Sequence, residues 1–177
     1  YGVGNNPNVP LAADFNGDGL LDIVTANGGN SVSVLLNTGG GVFAPAVSYA
    51  SIGNPYAVQA VDLDGDGDLD IATANPTANV SVLLNNGSGI FSAAVYYAVG
   101  AGSTGLTVGD FDGDGDIDLV SANNGSISVL LNTGRGTFSP AVNYTAGANG
   151  FNIVSGDIDG DGDLDLAIGY HVGSTIM

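Results

Sequence analysis

Asp62-Leu-Asp-Gly-Asp-Gly-Asp-Leu-Asp70 decides the reading of this chain, because five carboxylates and two glycines share nine residues. Near-copies occur at Asp14-Phe-Asn-Gly-Asp-Gly-Leu-Leu-Asp22, Asp110-Phe-Asp-Gly-Asp-Gly-Asp-Ile-Asp118 and Asp157-Ile-Asp-Gly-Asp-Gly-Asp-Leu-Asp165. These four loops hold all 18 acidic residues, and the only base in the 177-residue chain is Arg135. Carboxylates this dense repel one another unless something positive sits among them.

The loops begin at Asp14, Asp62, Asp110 and Asp157, spacings of 48, 48 and 47 residues. The similarity fills the intervals, so the chain is an internal repeat. Each unit reads as four short strands. The first leads into the loop, as in Ala57-Val-Gln-Ala-Val61, and the second leaves it, as in Leu69-Asp-Ile-Ala-Thr-Ala74. The third is Ser31–Leu36, Val80–Leu84 or Ile127–Leu131, followed in each case by an asparagine: Asn37, Asn85 or Asn132. After a Gly-rich turn, the fourth is expected to open on Phe43, Phe91 or Phe138 and close on Tyr49, Tyr97 or Tyr144. Turn signals between short β-branched runs predict antiparallel meanders. The absence of Glu and Lys, against abundant Val, Thr, Ser and Asn, agrees with an all-β class.

A four-stranded unit at this period predicts β-propeller blades, with a β-solenoid as the competing repeat architecture. The blades are expected at about 9–50, 57–98, 105–145 and 151–177, the last incomplete, in one propeller segment spanning 1–177. That amounts to about 3.5 blades in a partial or open propeller. Tyr1 aligns with Tyr49, Tyr97 and Tyr144, and Gly173–Met177 with the start of a third strand. The reading leaves open whether more sequence exists, whether several chains complete the architecture, or whether the arc stays open.

A hard divalent cation takes about six to eight oxygens at roughly 2.3–2.6 Å. Loop positions 1, 3 and 5 offer Asp14, Asn16 and Asp18; Asp62, Asp64 and Asp66; Asp110, Asp112 and Asp114; and Asp157, Asp159 and Asp161. Position 9 offers Asp22, Asp70, Asp118 and Asp165. Position 7 is expected to ligate through its backbone carbonyl, so Leu20 can stand where Asp68, Asp116 and Asp163 stand in the other loops. The oxygen-only set predicts Ca²⁺ at four sites, with Mg²⁺ disfavoured because it resists dehydration. Glycines at positions 4 and 6 are expected at positive φ. The first loop, carrying Asn16 in place of a carboxylate, is expected to bind most weakly. The loop is not an EF-hand, which needs a Glu at position 12. The competing reading is that the aspartates only form Asx-turns.

With these motifs the chain resembles the FG-GAP/VCBS repeats, the calcium-binding blades of integrin α-subunit propellers and of many bacterial secreted proteins. The Asp-x-Asp-Gly-Asp-Gly-x-x-Asp loops carry the resemblance, supported by the Val-Leu-Leu-Asn strands and Gly-x-Gly-x-Phe turns. It implies rings of blades, usually seven, and a role in adhesion, in matrix or at a cell surface. The expected partner is a protein or glycan there, with homo-oligomer or filament formation through open blade edges. A lectin-like propeller and an accessory domain of a secreted enzyme are the alternatives.

A net charge of −17 excludes a nucleic-acid partner, which needs Lys and Arg. No apolar run reaches the roughly 20 residues of a membrane span. No signal peptide is visible at Tyr1, and the absence of Cys leaves the redox compartment unread. An extracellular or cell-surface location is expected, since submicromolar cytosolic calcium would underfill such loops. Catalysis is not expected, with no Cys, Glu or Lys and a single His171. Arg135 reads as an exposed turn tip. Tyr56 and Tyr170, in or near loops, are candidate stacking residues, and one of the adjacent Tyr96 and Tyr97 is expected to be exposed, though blade packing is the plainer role for each. Sequons at Asn79, Asn86, Asn124 and Asn143 are weak signals in so Asn- and Ser-rich a chain.

Overall fold

The computed structural model describes residues 1–148 and 150–170. The expectations resting on His171 and on Gly173–Met177 lie outside them. The described residues form fourteen strands in four antiparallel sheets, with no helix. The first sheet holds β1 (Pro7–Ala13), β2 (Asp22–Asn27), β3 (Ser31–Leu35) and β4 (Val47–Ala50). The second holds β5 (Ala57–Val61), β6 (Asp70–Asn75), β7 (Asn79–Leu83) and β8 (Val95–Ala98). The third holds β9 (Gly105–Gly109), β10 (Asp118–Ala122), β11 (Ser126–Leu130) and β12 (Val142–Thr145). β13 (Gly150–Gly156) and β14 (Asp165–Tyr170) pair as the fourth. Strands follow one another in chain order within every sheet, the meander the turn spacing predicts.

The core lies between sheets. Phe15, Val24, Val32 and Val34 of the first sheet meet Val58, Ile71, Leu83 and Phe91 of the second. Leu63, Ala72, Val80 and Val82 then meet Leu106, Leu119, Leu130 and Phe138 of the third. Val120 and Ala122 meet Ile153 and Ile168 of the fourth. A middle sheet is therefore covered on both faces, and every residue of β6 is buried. This is why the second strands read as nearly unbroken Ile, Ala, Val and Thr instead of alternating. The first strands of successive sheets, β1, β5, β9 and β13, touch in sequence. The sheets fan outward from that line as propeller blades do.

Equivalent staples join the blades. Tyr49 closes the first sheet and sets its ring against Phe91 of the second, centroids 5.5 Å apart. Tyr97 does the same to Phe138 at 5.2 Å, and Tyr1 to Phe43 at 5.5 Å. Linker serines enter the polar interior of the next blade: Ser51 Oγ lies 3.2 Å from Ser81 Oγ, and Ser103 Oγ 2.5 Å from Ser121 Oγ.

The fourth strands correct the sequence reading. They start at Val47, Val95 and Val142, not at Phe43, Phe91 and Phe138. Each Phe pairs singly with the Asn two residues past the end of the third strand. Between that pair and the regular ladder, three residues face two, so the chain bulges. The bulge lets Phe91 and Phe138 turn into the core between sheets. Pro45 and Pro140, with no N–H for a ladder, sit in it.

Candidate metal centres

Each loop joins the first and second strands of its sheet. In the second loop, Asp62 Oδ1 accepts from Gly65 N at 2.8 Å and Oδ2 from Gly67 N at 2.9 Å. Asp66 Oδ1 accepts from Asp68 N at 2.9 Å. Asp110 and Asp157 accept from the corresponding glycines, and Asp14 from Gly17 N and Gly19 N at 2.8 Å each. Gly65 and Gly67 take φ of +79° and +94°, left-handed conformations that L side chains avoid. The Asx-turns of the competing reading are thus present, but they do not replace clustering. They aim the carboxylates inward.

Three trios result. Asp62, Asp64 and Asp66; Asp110, Asp112 and Asp118; and Asp157, Asp159 and Asp165 each bring one oxygen per residue within 4.8 Å of the others. Hard oxygens with no nitrogen or sulfur suit a cation of the calcium and magnesium class. Among the described residues no such trio forms in the first loop, where Asn16 Nδ2 donates to Asp18 Oδ2 at 3.0 Å. Asp114 and Asp161 remain in the loops as turn acceptors for Asp116 N and Asp163 N, both at 2.9 Å. At position 7, Asp68 and Asp116 place their carboxylates beside Gly87 and Gly134 of the same blade's outer turn. Neither residue belongs to a trio.

Position 9 carries a role that sequence reasoning missed. Asp22, Asp70 and Asp118 are fully buried. Asp70 Oδ2 accepts from Leu63 N at 2.9 Å and Oδ1 from Asn85 N at 2.7 Å. Asp22 bonds Phe15 N and Asn37 N, and Asp118 bonds Phe111 N and Asn132 N, at 2.7–2.9 Å. One carboxylate thereby clamps the start of the loop to the end of the third strand. The same Asn reaches across to the preceding blade. Asn85 Nδ2 donates to Phe15 O, and Asn132 Nδ2 to Leu63 O, both at 2.8 Å. The only sequence signal was the Asn after every third strand.

Burial raises three of these carboxyls. Asp70 goes from its ordinary 3.8 to about 6, desolvation outweighing its two backbone N–H donors. Asp118 moves up for the same reason. Asp64 is raised by burial first and then by the neighbouring charge of Asp66. A cation among these groups would offset both costs.

The other singled-out residues scatter. Arg135 is an exposed tip at φ +57°. Asn79 is tied to Asn75 and Thr77, and Asn143 to Ser128. Asn86 holds its turn through Ser88 N, and Asn124 lies exposed in the turn between β10 and β11. Tyr96 is exposed beside the packed Tyr97. Tyr170 ends β14, and its hydroxyl accepts from Gly147 N at 3.1 Å, so it is a packing residue. Tyr56 stays exposed, edge-to-face with Phe151.

Similar folds occur in solved structures. A lectin from Agrocybe aegerita, solved for its recognition of non-reducing terminal N-acetylglucosamine, is 29% identical over 77% of this chain, TM-score 0.56. The biofilm matrix protein Bap1 of V. cholerae is 21% identical over 90%, TM-score 0.57. The Tc holotoxin pore of Photorhabdus luminescens is 22% identical over 94%, TM-score 0.53. The chain spans 38%, 23% and 8% of those three chains. No curated protein matches it significantly. FG-GAP-like repeats match at 14–73, 62–121 and 110–168, so the chain, on both its blades and its loops, belongs to the FG-GAP-like repeat family.

Proposed function

We propose that this chain is a non-catalytic, calcium-binding repeat segment of an extracellular adhesion, matrix or surface-structure protein. The observation that carries the reading is the coupling of carboxylate trios to blade stacking. The loop that gathers Asp62, Asp64 and Asp66 is clamped by Asp70 to Asn85, and Asn85 bonds the preceding loop. A bound cation would neutralise the trio and so stabilise the joint between blades. At millimolar extracellular calcium, a site with a dissociation constant near 10 μM adds roughly 2.7 kcal/mol. Four such sites would add on the order of 10 kcal/mol, comparable to the net stability of a whole domain. Calorimetric titration of the calcium-stripped protein, with melting curves with and without EGTA, tests this. We expect three tight sites, a weaker fourth in the first loop, and a large drop in melting temperature on chelation. A melting temperature indifferent to EGTA would sink the proposal.

The likeness to a matrix protein, read with the family, supports an outside location. Among the described residues no helix is long and apolar enough to cross a membrane. Self-association is part of the same reading. It rests on the open edges that an incomplete arc of blades would present. Light scattering in calcium that finds only monomer would remove that part alone.

Glycan binding is the second reading. It is favoured by the likeness to the lectin and by the exposed aromatic pair of Tyr56 and Phe151.

A further inference from the structure

The blades are close copies, yet some positions around the first strands differ in every copy. Six residues before each loop stand Asn8, Tyr56, Thr104 and Phe151. Tyr56 immediately precedes β5, and Phe151 is the second residue of β13. The first strands run to the metal loops, so this position lies at their opposite ends. There the fold brings three of the copies together. Tyr56, Thr104 and Phe151 line one pocket of about 290 Å³, with Val9, Gln59 and Asn152 among its other walls. The rings of Tyr56 and Phe151 meet edge-to-face, centroids 5.9 Å apart and planes at 74°. They are 37% and 45% exposed, so the corner they form is open to solvent.

We infer that this pocket is a binding site for one neutral sugar residue, with Tyr56 and Phe151 as its stacking platform. The inference rests on the glycan-binding reading above and gives it a location. The apolar C–H face of a pyranose fits flat against an aromatic ring, and its hydroxyls need donors and acceptors at the rim. Gln59 and Asn152 supply them. Gln59 Nε2 is committed to Leu106 O at 2.8 Å, which fixes the amide and leaves its carbonyl oxygen as an acceptor. Asn152 Oδ1 accepts from Ile153 N at 3.0 Å, which leaves its amide hydrogens to donate. The Tyr56 hydroxyl serves in either sense.

Two facts select the ligand class. The pocket lining carries no charged side chain, and the chain's −17 charge disfavours anions. The volume lies at the lower limit of small-molecule sites, enough for a single ring and not for a chain of them.

The test is saturation-transfer NMR with calcium-loaded protein and free glucose, galactose, mannose and N-acetylglucosamine, beside a glycan array. At least one sugar is expected to take up saturation on its ring C–H protons. Tyr56→Ala and Phe151→Ala should each weaken it at least tenfold. Tyr56→Phe should hold within a few-fold, and Tyr96→Ala, at an exposed ring outside the pocket, should change nothing. Melting in calcium at the wild-type temperature verifies that each variant folds. Array binding that survives both alanine variants overturns this site and leaves the glycan reading standing. Folded protein that binds no neutral glycan overturns both. Tighter binding of tetramethylammonium than of any sugar overturns the ligand class, because the rings would then serve a cation.

Discussion

The first and second loops share a backbone and differ in charge. Both turn through paired positive-φ glycines, both place a first-position Asp over those glycines, and both end on a fully buried Asp. The second gathers three carboxylates, whereas the first has Asn16 donating to Asp18 and Leu20 at position 7. Clamping the loop therefore does not require a carboxylate trio. The ninth-position aspartate clamps in both loops, positions 1 and 3 belong to every trio, and position 9 itself joins the trio in the third and fourth loops.

The sharpest way to break this comparison is to remove the clamp in both loops. Asp70→Ala and Asp22→Ala each strip two backbone N–H groups of their acceptor. At about 1–3 kcal/mol per unsatisfied buried group, each should cost on the order of 4 kcal/mol in urea unfolding. The two losses should be similar in EGTA. A loss at Asp70 that appears in calcium and vanishes in EGTA would tie the clamp to the metal.

Titration comes next. The folded pKa of Asp70, about 6, lies above its unfolded value of 3.8, so the native state binds the extra proton. In EGTA, that contribution is fully present below pH 4 and is lost as pH rises through about 6. It amounts to about 3 kcal/mol. In calcium the sign reverses, since ligation needs charged carboxylates and stability should rise over the same window. Urea midpoints between pH 4 and 7 that slope the same way with and without calcium would contradict a coupling of the Asp62, Asp64 and Asp66 trio to the Asp70 clamp.

Asn16→Asp restores the missing carboxylate of the first loop. We expect its calcium affinity to rise about tenfold, roughly 1.4 kcal/mol, towards that of the other three. Calorimetry should then show four comparable sites. The smallest effect belongs to Asp68→Ala. Its carboxylate faces Gly87, so calcium affinity at the second loop should change by less than about 0.5 kcal/mol. A larger loss would place that side chain among the ligands.

The period and the glycines were readable because each is local: a run of aspartates and glycines has few ways to fold. Third strands were readable for the same reason, from Val80-Ser-Val-Leu-Leu84 and its copies. The starts of the fourth strands were not. Phe91 and Phe138 look like strand openers, but burial between sheets wins over continuing the ladder. Tyr170 reads as a loop aromatic until Gly147 is seen to donate to its hydroxyl. Phe151 carried no signal of its own beyond matching Tyr56 in register.

The chain's own letters determined the all-β class, the four loops and the oxygen-rich donor set, since these depend on residues within one turn of each other. Only the tertiary structure decided which aspartates meet, that Asp22, Asp70 and Asp118 clamp backbone, and that Asn85 and Asn132 tie blade to blade. Those contacts join residues as many as 70 positions apart, as in Asn85 with Phe15. Their partners are set by how sheets stack, which no short window of sequence contains.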